Sequence, residues 1–177
     1  MRILENFFDN VLVLEPSEKV DNRGTRIVGF NKDEIRKLSI KFEIKEQRIY
    51  KMPKAGTFFG IHYQEMTYPQ AKLVSVIQGK GLDYIVDLRK DSLTYKEWRM
   101  VELSEEESKV IYIPAGYGHA FLSMEDNTIQ VFAVNEYFVD GCVKQINYND
   151  PEIGLVLPFK DIVISEHDKN APFLKEI

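Results

Sequence analysis

Short β-prone runs separated by turn residues dominate the chain. Apolar and polar positions alternate with a period of two through Leu82-Asp83-Tyr84-Ile85-Val86 and Lys109-Val110-Ile111-Tyr112-Ile113. Such alternation places one face against a core and turns the other to solvent or a cavity. The runs over residues 72–89, 109–123 and 128–139 are divided by turn signals at Gln78-Gly79-Lys80-Gly81, Pro114-Ala115-Gly116 and Glu125-Asp126-Asn127. This spacing predicts antiparallel strands in a barrel or sandwich. Helical signal is weak. Residues 31–38 predict one short helix capped by Asn31, and residues 104–108 suit a turn of helix or a loop. From residue 149 onward, Pro151, Pro158 and Pro172 predict irregular chain wrapped on the β-structure. No Gly-rich phosphate loop is present, so a Rossmann or P-loop fold has no support.

Composition narrows the class. The chain has 177 residues with 44% hydrophobic and 29% charged positions, the size and balance of one ordinary globular domain over residues 1–177. No apolar run approaches the roughly 18–20 residues of a membrane span. The start, MRILENFFDNVLVLE, carries acids inside its apolar stretch and lacks the pattern of a signal peptide. One cysteine, Cys142, has no internal disulfide partner. A cytoplasmic protein is the expectation. The formal net charge of -5 and the absence of a basic stretch argue against nucleic acid as a ligand, while leaving room for a small anionic one.

The candidate chemistry rests on few residues. Of three histidines, His62 and His119 lie in strand or turn contexts close to glycine, in GIHYQ and PAGYGHAF. A strand residue that faces a barrel interior meets side chains from distant segments, so a site can assemble without a local cluster. The alternative is a purely structural histidine at each position. Ser165-Glu166-His167-Asp168 offers a carboxylate that would orient a histidine and stabilise its imidazolium. Lys72, if buried, offers an ammonium for the oxygen of a developing enolate; otherwise it is a strand-edge lysine.

These residues belong to a longer series. In order come Asp21-Asn22-Arg23-Gly24, Gly60-Ile61-His62-Tyr63-Gln64, Ala71-Lys72-Leu73-Val74, Gly79, and Val86-Asp87-Leu88-Arg89. Then follow Asp91 to Tyr95, Ile113 to Phe121, Asn149-Asp150-Pro151 and Ser165 to Asp168. With this series the chain resembles the dTDP-4-dehydrorhamnose 3,5-epimerases of bacterial deoxysugar and surface-polysaccharide biosynthesis, over nearly its whole length. The resemblance implies an all-β, cupin-type jelly-roll barrel with few short helices, no metal and no other cofactor. It implies a homodimer in which an N-terminal segment completes the partner's sheet. The substrate it implies is a nucleotide-linked 4-keto-6-deoxy sugar, with protons at C3 and C5 beside the C4 ketone. By the same resemblance His62 is the base, Asp168 its dyad partner, and Lys72 and His119 the carbonyl-side residues. Arg23 and Gln47 correspond to residues that hold the nucleotide.

The departures from the family pattern cluster at functional positions. Phe132 stands where the family has a tyrosine read as the acid that returns a proton from the opposite face. Phenylalanine keeps the ring and has no proton to give. Either Tyr137 or a water then returns the proton, or only part of the reaction survives, or there is no epimerisation. Phe59 replaces an arginine, Arg26 and Val28 a phenylalanine and a glutamate, and Ile49 an asparagine. Val143 replaces a glutamate, and His167 a lysine. Arg26 is the candidate to restore charge lost with the arginine at Phe59. Two other readings stay open: a metal-dependent cupin using His62, Glu65 and His119, and a non-catalytic binder of sugar nucleotides.

Overall fold

A computed structural model describes all residues, 1–177. Its first strands are β1 (Arg2–Phe7), β2 (Val11–Glu15), β3 (Ser17–Asp21) and β4 (Gly24–Val28). After helix α1 (Lys32–Lys37) come β5 (Glu46–Met52), β6 (Phe58–Gln64), β7 (Lys72–Gln78) and β8 (Lys80–Asp87). The series ends with β9 (Trp98–Ser104), β10 (Val110–Ile113), β11 (Tyr117–Ser123), β12 (Thr128–Val134) and β13 (Val143–Ile146). A second short helix, α2, spans Glu166–Lys169.

Two antiparallel sheets pack face to face. One has the order β1-β2-β10-β7-β12-β5, the other β13-β6-β11-β8-β9, and β3 and β4 form a separate hairpin. Consecutive strands from β5 to β8, and again from β9 to β12, cross between the two large sheets. This is the jelly-roll arrangement expected of a cupin. The predicted turns at residues 78–81, 114–116 and 125–127 are therefore corners between sheets, not hairpins within one. Gly79 makes the first corner with φ +71°, and a Cβ there would lie 2.8 Å from Thr128 Oγ1. Both facts favour glycine at that position.

The alternation encodes a layered structure with less solvent than expected. In β2, Val11 and Val13 enter the core between the sheets, while Leu12 and Leu14 face outward and are also buried. Ile35 of α1, with Ile40 and Phe42, covers that outer face. Asn31 caps α1 as predicted, accepting from the Asp33 and Glu34 amides. In β8, Leu82, Tyr84 and Val86 point outward and are buried under Ile153, Leu155, Leu157 and Phe159 of the C-terminal segment. Both faces of the central strands are thus covered, one by the helix segment and one by the tail. The polar Asp83 points inward, to the space between the sheets. Residues 104–108 resolve as a turn closed by the Ser108 amide on the Ser104 carbonyl.

Candidate active site

A cavity of about 310 Å³ opens between the two sheets. One wall comes from β6, β11 and β13, the other from β5, β7 and β12.

His62 owes its direction to an irregularity in β6. Residues an odd number apart on a regular strand face opposite sides of the sheet. Phe59 and His62 are three apart, yet both line the cavity. The register explains it: His119 pairs with His62, but Phe121 pairs with Phe59. One extra residue is accommodated in β6, a bulge that re-aims the histidine.

Asp168 meets His62 from the other end of the chain. His62 Nε2 lies 2.7 Å from Asp168 Oδ1, and the Gly60 amide donates to Asp168 Oδ2 at 3.1 Å. A Cβ on Gly60 would stand 3.2 Å from Asp168 Cβ, so glycine lets the carboxylate sit directly on the strand. Ser165 caps α2 by accepting from the Asp168 amide, which fixes the carboxylate at the helix start. Burial opposes the Asp168 charge, but the hydrogen bond and charge of His62, with the Gly60 N–H, outweigh it and hold the carboxyl below its ordinary pKa. A neutral His62 donates Nε2–H to this carboxylate and keeps the lone pair on Nδ1 as a base.

Beside the dyad lies a second, buried pair. His119 Nε2 is 2.9 Å from Asp83 Oδ2, and Asp83 has no exposed surface. Lys72 donates from Nζ to the His62 carbonyl at 3.3 Å. Burial pushes the Lys72 ammonium down to about 8, with the Asp83 charge pulling the other way. Burial also lowers the His119 pKa; Asp83 opposes this, while Lys72 and His62 add to it. Asp83 Oδ1 and the Gln130 side-chain nitrogen, both buried, lack partners.

The facing wall is aromatic. Phe132 is buried and stacks on Tyr50 with centroids 5.4 Å apart and planes 16° apart. Tyr50 also meets the Phe59 ring edge-on at 4.9 Å. The Arg48 guanidinium lies 3.7 Å from the centre of the Phe138 ring. Burial opposes the Arg48 charge, but its hydrogen bond and ion pair with Glu46 help to raise its pKa.

Several expected residues stand elsewhere. Gln47 and Ile49 point away from the cavity, because the strand period turns Arg48 and Tyr50 inward instead. Arg23 and Arg26 lie on the exposed hairpin β3–β4, where Arg23 pairs with Asp21 at 2.7 Å, and neither lines the cavity. Tyr137 is 56% exposed with Lys45 over its ring, so it offers no proton to the cavity of its own chain. Val143 and His167 do line the cavity. The triad needed by the metal-dependent reading does not assemble: Glu65 faces Lys144, and no cluster of three His, Cys, Asp or Glu residues suits a metal. Asp83, Arg48, Tyr50 and Gln130 were not singled out from the sequence. The available signal was the strand period, which puts Arg48 and Tyr50 on one face and makes Asp83 a polar break in an apolar run.

Comparison with known proteins agrees with this arrangement. A family model for dTDP-4-dehydrorhamnose 3,5-epimerase matches residues 6–176. The dTDP-4-dehydrorhamnose 3,5-epimerase of Methanothermobacter thermautotrophicus is 34% identical over 178 residues, covering 99% of this chain and 95% of its own length. A dTDP-4-dehydro-6-deoxyglucose 3-epimerase of Streptomyces is 39% identical over 121 residues, 67% of this chain and 61% of its own. The crystal structure of the Bacillus anthracis dTDP-4-dehydrorhamnose 3,5-epimerase, with TDP and PPi bound, has a TM-score of 0.95 at 32% identity, covering 98% of this chain and 99% of that one. The chain belongs to the dTDP-4-dehydrorhamnose 3,5-epimerase family, and is by that membership an isomerase.

Proposed function

We propose that this protein epimerises a nucleotide-linked 4-keto-6-deoxy sugar at a carbon beside the C4 ketone, in deoxysugar biosynthesis. The observation that carries the reading is the His62–Asp168 contact of 2.7 Å at the cavity wall, with the buried Lys72 beside it. His62 Nδ1 removes the proton at C3 or C5, and Asp168 stabilises the imidazolium that forms. The electron pair moves onto the C4 oxygen, where the Lys72 ammonium stabilises the enolate. The His119–Asp83 pair supports that cation, since the Asp83 carboxylate favours a charged Lys72. A binding protein would have no use for a carboxylate-oriented histidine next to a buried cation.

The nucleotide end is less like the family pattern. Phe59 brings no charge, and Arg48 is the arginine among the cavity-lining residues. Arg48 is therefore the proposed contact for the diphosphate. Arg23, Arg26 and Gln47 face outward, so they can reach a substrate only on a second subunit. A homodimer built on the N-terminal strands fits this: β1 is exposed, as are Val20 and Ile27 of the hairpin. Light scattering should give twice the 20.6 kDa chain mass.

The test of function is proton exchange in deuterated water with dTDP-, CDP-, UDP- and GDP-linked 4-keto sugars. The expected result is deuterium at a carbon next to the ketone with at least one of them, lost in His62→Ala. No exchange with any of the four would favour the non-catalytic reading.

A further inference from the structure

Inverting a carbon requires two proton-transfer groups on opposite faces of the sugar. One removes a proton and the other returns one. His62 stands on β6, in the five-stranded sheet. His119 stands on β11 in the same sheet, and His167 and Asp168 on α2 beside β6. The proton for the far face must then come from the six-stranded sheet. The polar or aromatic residues of that sheet that line the cavity are Arg48, Tyr50, Lys72, Gln130 and Phe132.

Four of the five are poorly suited. Phe132 has no proton to give, the Gln130 amide is not an acid, and the Arg48 guanidinium keeps its protons. Lys72 is held at the His62 carbonyl, on the base's own side of the cavity. Tyr50 remains, and of the chain's nine tyrosines it is the one that lines the cavity.

Its placement suits the task. In the β5–β12 ladder Tyr50 pairs with Gln130, and Arg48 with Phe132. Tyr50 is thus the diagonal neighbour of Phe132, within reach of the same space. The two rings stack, so Phe132 fixes the plane of the Tyr50 ring. Arg48 and Tyr50 occupy successive inward positions of β5 and line the same cavity.

We propose that Tyr50 is the catalytic acid on the face opposite His62, taking the place of the phenol that Phe132 lacks. The inference rests on the epimerase reading above. In the step, the Tyr50 O–H bond breaks and a C–H bond forms at the α-carbon from the enolate C=C pair. The oxygen electrons restore the C4 carbonyl. The phenolate regains its proton from water, and the His62 imidazolium releases its proton to water. The net reaction is an isomerisation with no co-reactant.

Tyr50→Phe removes one oxygen and keeps the stack. Two rates are compared by NMR in deuterated water: His62-dependent exchange at the α-carbon and appearance of the inverted product. The expected result is that the ratio of exchange to inversion rises by about 100-fold or more, the usual scale of a lost general acid. Adding Phe132→Tyr should bring the ratio back toward the wild-type value. Inversion by Tyr50→Phe at the wild-type ratio would overturn the assignment. A double variant that exchanges but does not recover inversion would also overturn it, by assigning the loss to packing. Absence of exchange by the wild type would overturn the epimerase reading and this inference with it.

Discussion

The two walls of the cavity are built on different principles. On the five-stranded side each functional group is tied to another: His62 to Asp168, Asp168 to Gly60, His119 to Asp83. On the six-stranded side the contacts are mainly ring against ring, Tyr50 on Phe132 and Phe59, and Arg48 over Phe138. Hydrogen-bonded groups hold one geometry and one charge state. Stacked rings hold a shape and tolerate a change of substituent. The departures follow that division only in part. The base, its carboxylate and the cation at Lys72 match the family pattern, whereas the position of the expected acid, Phe132, does not. Phe59, Val143 and His167 also depart, yet they lie on the first wall, around the dyad and not within it. In the proposed reading, the residues for proton removal match the family pattern, and those for proton return and nucleotide contact depart from it.

The comparison can be broken most strongly at the base. His62→Ala is expected to lower α-proton exchange by about 10³–10⁴-fold, the upper range for a lost general base. Lys72→Met should cost about 10²–10³-fold, on the scale of a lost oxyanion donor. It should also change the pH profile. Because the Lys72 pKa is lowered to about 8, the wild type loses the cation as pH rises through about 8, well below the range of an ordinary lysine. Exchange should therefore fall on that limb in the wild type, and the limb should be absent in Lys72→Met. Asp168→Asn keeps an acceptor for the Gly60 amide and removes the charge that stabilises the imidazolium; about 10²-fold is expected. Ser165→Ala removes the cap that fixes Asp168 and should cost about 1 kcal/mol of stability, read from the denaturation midpoint. Its effect on exchange should be only several-fold. An effect of Ser165→Ala as large as that of Asp168→Asn would mean that the carboxylate acts through folding and not through His62.

Much of the fold was legible because the strand period and turn residues are local signals. Period-two alternation marked the strands around residues 72–89 and 109–123, and Asn31 marked the helix start. The covered outer faces were not legible, since the tail that buries Leu82, Tyr84 and Val86 lies about 70 residues away in the chain. In the site, the resemblance named His62, Asp168, Lys72 and His119; the structure brings His62, Lys72 and His119 to one cavity and sets Asp168 against His62. The contact of His62 with Asp168 spans 106 positions and depends on a bulge in β6, which no residue pattern announces. Gln47 came from motif correspondence alone. Its strand period places Arg48 and Tyr50, not Gln47, toward the cavity, a distinction available from alternation once the strand is known. Arg23 and Arg26 fall on a hairpin outside the cavity of their own chain, a placement that no local residue pattern reveals. Asp83 went unnoticed because one polar residue in an apolar strand is ordinarily read as its solvent side, and here that side faces inward.

The most direct test of the central claim is the fate of the α-proton when the 4-keto sugar is incubated with the protein in deuterated water. NMR should show the C3 or C5 proton signal disappearing with the wild-type protein and persisting with His62→Ala over the same interval. Equal loss of that proton with both proteins would contradict the account, because the base would then not be His62.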